Sequence, residues 1–141
     1  MKRTDPEPEL PAKHANHAKT SRGEPEAQRL RAATEAVEER LSGRGGRRLR
    51  RDECLHLARL AADYLRARGA VSVRLFGSLA RGREPGIHSD FDFAVEGLPG
   101  DAYLGSVGTL LQLLPLPVDL VELESASAAL RERILREGLK I

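Results

Sequence analysis

FGSLARGREPGIHSDFDFAV, residues Phe76 to Val95, decides how this chain folds. It opens at the end of an apolar run, VSVRLF (Val71 to Phe76), which alternates and is β-branched at Val71 and Val73, as a strand requires. A Gly-Ser pair comes next, then a polar loop holding Pro85 and Gly86. Aspartates stand at 90 and 92, at the start of and within a second apolar run, Phe91 to Val95. Side chains alternate between the faces of a strand, so Asp90, Asp92 and Ala94 share one face while Phe91, Phe93 and Val95 share the other. The aromatic face is the predicted core. The two carboxylates then stand roughly 6–7 Å apart at their Cβ atoms, where they repel unless something neutralises them. A hard divalent cation does so, and carboxylate oxygens are the ligands that Mg²⁺ prefers.

Outward from this stretch the elements follow in a clear order. Upstream, Cys54, Leu57, Ala58, Ala61, Tyr64 and Leu65 recur at helical spacing within Asp52 to Arg68, and Gly69 supplies a C-terminal cap. Downstream, a helix runs from a cap at Asp101 to about Leu114, despite Gly105 and Gly108. LPLP breaks the chain, and VDLVEL, Val118 to Leu123, reads as a third strand. Ser125 or Ser127 caps a last helix with Leu130, Ile134 and Leu135 on one face and Gly138 at its end. The order α-β-β-α-β-α predicts a small α+β or α/β domain, a mixed sheet of about three strands flanked by helices.

The third strand extends the site. If it lies beside the second, about 4.8 Å away, Asp119 joins Asp90 and Asp92 on the same face, whereas Glu122 points the other way. At the end of the first strand, Gly77 permits a tight turn and Ser78 offers a hydroxyl. LARG then starts a short helix whose free N–H groups attract phosphate, with Arg81 and Arg83 at hand to neutralise anionic oxygens. A phosphate cradle beside a two-metal carboxylate site implies transfer of a phosphorus group, the metals clamping the attacking and leaving oxygens. The loop is not of the Walker A type, since no GK[ST] is present.

GSLARG, SDFDFAV and VDLVEL, in this order, resemble the minimal nucleotidyltransferase (MNT) domains of the DNA polymerase β-like superfamily. The resemblance runs from about Leu49 to the C-terminus, through ASAALRERILREGLKI. It implies the nucleotidyltransferase fold and gives each residue a role: Gly77 and Ser78 hold the nucleotide triphosphate, Asp90 and Asp92 bind metal, and Asp119 binds metal and takes a proton from the attacking hydroxyl. The implied cofactor is Mg²⁺, as two ions, with ATP as substrate. Small solo domains of this kind serve as antitoxins beside a HEPN-domain toxin on a separate chain, forming a hetero-oligomer. They transfer AMP from ATP to a toxin tyrosine. Two departures stand out. The spacing from Ser78 to Asp90 is one residue longer than is common, an insertion assigned to the PGIH loop, and Leu79 occupies a position where a basic residue is frequent. Arg83 and His88 happen to match the Arg-x4-His spacing of HEPN ribonucleases, but Pro85 and Gly86 interrupt the helix that motif needs. The alternative functions are a non-catalytic toxin-binding antitoxin, or a nucleotidyltransferase acting on a small molecule or RNA.

Composition bounds the rest. The chain has 141 residues and a net charge of +2, so no strong global field selects a partner. Residues 1–26 are rich in Pro, Glu, Lys and His and predict disorder; Glu26 to Leu41 is compatible with a helix; Ser42 to Arg51 reads as a basic hinge. The expected division is therefore a tail over 1–48 and a nucleotidyltransferase domain over 49–141. The arginines at 44, 47, 48, 50 and 51 carry no interleaved aromatics, so nucleic acid is not the expected partner. His14 and His17 read as surface residues of the tail, and Cys54 as core. A lone cysteine excludes an internal disulfide, and no apolar run reaches the length of a signal or membrane segment; the expectation is a cytoplasmic protein with no membrane partner.

Overall fold

The computed structural model describes residues 22–43 and 48–141. The surface roles of His14 and His17, the expected disorder over residues 1–21 and the middle of the basic hinge, 44–47, lie outside the described residues. The expected disorder over 22–26 is corrected, since Glu24 to Glu26 are already helical, and the hinge is bounded by helix ends at Ser42 and Arg51. Among the described residues no helix is long and apolar enough to cross a membrane.

Helix α1 (Glu24–Ser42) has Pro25 in its first turn and buries Leu30, Thr34 and Val37, which recur at helical spacing. Its neighbour α2 (Arg51–Ala67) buries Cys54, Leu57, Ala58, Ala61, Ala62, Tyr64 and Leu65 along one stripe. The carboxylate of Glu53 accepts from the Arg50 N–H at 3.0 Å and closes the start of α2. Arg40, at the end of α1, donates to the same carboxylate (Nη2 to Oε1, 2.7 Å) and locks the two helices together. At the far end of α2, Ala70 N–H bonds to Leu65 O and Gly69 N–H to Arg66 O, with Gly69 at φ +122°. This is the left-handed C-terminal cap that the sequence predicts.

Strands β1 (Ser72–Phe76) and β2 (Phe91–Glu96) pair antiparallel. Helix α4 (Gly100–Leu113) carries the chain back so that β3 (Val118–Glu122) runs parallel to β2, the crossover a parallel pair requires. Between β1 and β2 lies α3 (Gly77–Ala80), a single turn. A 3₁₀ turn (Leu123–Ser125) leads to α5 (Ala128–Glu137). The predicted three strands become four: β4 (Leu139–Lys140) pairs antiparallel with β1, and the sheet order is β3-β2-β1-β4. A two-residue strand has no periodicity to detect. Two further expectations are corrected. Helix α4 begins at Gly100 after Pro99, so Asp101 lies inside its first turn, near the positive helix end, rather than at the cap. Leu135 is exposed, because it lies well round the helix from Leu130 and Ile134. Of the two candidate caps, Ser127 is used: its hydroxyl accepts from Leu130 N–H at 3.2 Å.

The sheet separates two apolar clusters. On one face Val73, Leu75, Phe91, Phe93 and Val95 pack under α1, α2 and α4. The Phe91 and Phe93 rings stack with centroids 6.0 Å apart. On the other face Phe76, Ala94, Leu123 and Ile134 pack beneath α5. Leu30 and Val37 belong to the first cluster, so α1, which lies before residue 49, contributes to the same core as the strands.

Candidate active site

The strand register brings the acidic residues together. Phe76 is opposite Asp92 across the β1–β2 pair, and Asp92 is beside Asp119 across β2–β3. Asp90 falls just before β2 rather than inside it, because the ladder starts at Phe91, whose N–H bonds to Pro117 O at 2.8 Å. A cavity of about 560 Å³ opens on this face. All of Gly77, Ser78, Arg81, Asp90, Asp92 and Asp119 line it.

Gly77 is needed here for two reasons. It sits at φ +79°, where a side chain is strained, and a Cβ would collide with Oδ2 of Asp92. The α3 turn can therefore begin directly against the Asp92 carboxylate. Being one turn long, α3 offers free N–H groups more than a macrodipole. Its position is held from behind: Leu79 is fully buried in the main core, and Arg51 Nε donates to Leu79 O at 3.0 Å. The departure at position 79 thus serves packing, and Leu79 adds nothing to the cavity. Arg81 lies at the cavity rim, 3.9 Å from the Glu137 carboxylate on α5. Arg83 is not among the lining residues.

Electrostatics single out Asp92. Burial, then the charges of Asp90 and Asp119, push its pKa from 3.8 up to about 6, and Arg81 opposes the shift only in part. Asp119 is exposed by comparison. Among the described residues no three ligating groups are already gathered into a metal cluster. Like charges without a counter-ion are not expected to converge. The donor set of three carboxylates around one cavity suits a hard divalent cation, which would offset both the burial and the like charges that raise the Asp92 pKa.

Several lining residues escape a reading of the sequence alone. His88, in the loop before β2, reaches the cavity. From α5 come Leu130, Arg133, Ile134 and Glu137. Their i, i+3, i+4, i+7 spacing is visible as one helix face, but nothing local says that this face closes the acidic site.

A family model described as polymerase beta, nucleotidyltransferase matches residues 62–141. A solved structure of a candidate minimal nucleotidyltransferase is 28% identical, with 70% of this chain and 100% of that chain covered, at a TM-score of 0.58. A toxin–antitoxin structure with AMP-PNP is 29% identical over 65% of this chain and 72% of the other, at a TM-score of 0.48. A chain from the complex of a tri-AMPylated Shewanella oneidensis HEPN toxin with an MNT antitoxin is 27% identical, covering 64% and 66%, at 0.41. No curated protein matches the chain. The family match takes in β1, the Gly-Ser turn, all three aspartates and α5, and on it the chain belongs to the polymerase β-type nucleotidyltransferases.

Proposed function

We propose that the protein transfers AMP from ATP to a hydroxyl of a partner protein, a HEPN-domain toxin in which a tyrosine is the acceptor, and silences it. The observation that carries the chemical part is the register Phe76–Asp92–Asp119, which sets two carboxylates beside the Gly77-Ser78 turn at a cavity that Asp90 also lines. The toxin as partner rests on the sequence resemblance to solo MNT antitoxins.

In this reading Asp90, Asp92 and Asp119 would hold Mg²⁺, which supplies charge neutralisation at the attacking and leaving oxygens. The Ser78 hydroxyl and the free N–H groups of α3 bind the phosphate tail, with Arg81 at the rim. The acceptor oxygen attacks the α-phosphorus, the bond to the β-phosphate breaks, and pyrophosphate leaves. In this reading Asp119, the more exposed of the paired carboxylates, takes the hydroxyl proton. Asp92, pressed against Gly77, stays fixed at the base of the site.

The test is incubation of the full chain with α-labelled ATP, Mg²⁺ and a folded candidate HEPN-domain toxin. Label on a toxin tyrosine, lost with Asp90→Asn or Asp92→Asn, is the expected result. Protection of cells that survives Asp92→Asn would instead mark a stoichiometric antitoxin with an idle site.

A further inference from the structure

We propose that Arg133 of α5 is a second phosphate-binding residue of the same cavity, gripping the nucleotide's triphosphate from the wall that α5 forms. The proposal rests on the nucleotidyltransferase reading above and adds to it a residue from outside the Gly-Ser and aspartate motifs. Helix α5 turns Leu130, Arg133, Ile134 and Glu137 toward the cavity. Ile134 is fully buried beneath it and Leu130 packs beside Phe76 and Ala94, so the two apolar residues fix which face Arg133 occupies. The helix is secured at both ends. Ser127 caps its start, Arg131 Nη1 donates to Leu123 O at 2.8 Å, and Gly138 N–H bonds to Ile134 O at 2.8 Å just before β4 joins the sheet.

The charges of the rim favour this role. Arg81 already shares its guanidinium with Glu137, and Glu137 also faces Arg136 at 3.4 Å. Arg133 is exposed and makes no ion pair among the described residues, so it can engage an incoming anion without first giving up a partner. One helical turn separates it from Glu137, roughly 6 Å along the axis, so a chain of phosphates can span Arg81 and Arg133. Its planar fork suits two oxygens of one phosphate.

The experiment titrates the full chain with inorganic tripolyphosphate and with a non-hydrolysable ATP analogue, both with Mg²⁺, alongside the KM for ATP in toxin labelling. Arg133→Ala should weaken both ligands by at least roughly tenfold and raise KM more than it lowers kcat. Arg133→Lys should recover part of the loss. Arg136→Ala removes the same charge from a residue outside the cavity lining and should change affinity less than about twofold. An Arg133→Ala protein that melts like wild type and binds both ligands within about twofold overturns the proposal while leaving the nucleotidyltransferase reading intact. A loss shared equally by Arg136→Ala overturns it too, since that is a general field effect. A wild-type protein that binds neither ligand overturns both.

Discussion

Replacing Asp92 by Asn should abolish nucleotide transfer and at the same time make the metal-free protein more stable at neutral pH. The reason lies in how the fold holds this side chain. Its carboxylate is half-buried against Gly77, with Asp90 and Asp119 alongside, and its pKa is pushed from 3.8 to about 6. A folded-state pKa above the unfolded one means that the ionised form is disfavoured by folding. The cost is fully present above the folded value and absent below the unfolded value. At 1.36 kcal/mol per unit the full shift would cost roughly 3 kcal/mol at pH 8, and solvent screening of this half-exposed carboxylate cuts that figure. Asn has nearly the shape of the protonated acid and carries no charge. Screening and relaxation of the surroundings lower the yield, so the expected gain for Asp92→Asn in EDTA is ~1–2 kcal/mol at pH 8, on the order of 5–10 °C in Tm. The gain should shrink as pH falls through 6 and vanish below 3.8, where this group is neutral in folded and unfolded wild type alike. Mg²⁺ should stabilise wild type and leave the variant unmoved. Melting curves of both proteins across this pH range, with and without Mg²⁺, measure all three effects. A variant no more stable than wild type at pH 8, or a gain equal at pH 4 and pH 8, refutes the argument that burial and like charge together strain this carboxylate.

Three other outcomes follow from the same geometry. Gly77→Ala places a Cβ at φ +79° against Oδ2 of Asp92, so it should lower stability by at least ~1–2 kcal/mol and abolish transfer, read by denaturant melts and labelling. Leu30→Ala should cost ~2–5 kcal/mol with the whole domain melting in one transition, because Leu30 is fully buried in the same cluster as Phe91 and Phe93; a small loss, or a separate early transition for α1, would show that helix to be an appendage. Transfer at sub-saturating Mg²⁺ should fall as pH drops through about 6, since protonating Asp92 removes a ligand charge, and raising Mg²⁺ should move this limb to lower pH; a limb that ignores Mg²⁺ would place the titrating group elsewhere.

Local pattern carried much of the architecture. Alternation around Phe91 and Phe93 separated core from site face, since a strand's period of two is a property of the backbone itself. Helical spacing located α2, and a glycine able to take φ +122° ended it. The acids at 92 and 119 were legible because each breaks an apolar run on a predicted face, and Asp90 because it stands two residues before Asp92 at the start of the same run. That Asp119 lies beside Asp92 was conditional on two strands being neighbours, and only the parallel β2–β3 register decided it. The same limit hid β4, two residues whose strand character comes wholly from pairing with β1, and hid the packing of α1, whose sparse apolar residues look marginal until α2 covers them.

From the sequence by itself came the helix and strand pattern, the turn at Gly77-Ser78 and the set of carboxylates that one face would display. Tertiary structure alone decided which walls enclose them: α5, far along the chain, lays Ile134 on the site face of the sheet and brings Arg133 and Glu137 to the cavity rim. Residue type and period are encoded within a few neighbours. Convergence of distant segments, and with it the raised pKa of Asp92, exists only once burial and like charge act on the same carboxylate.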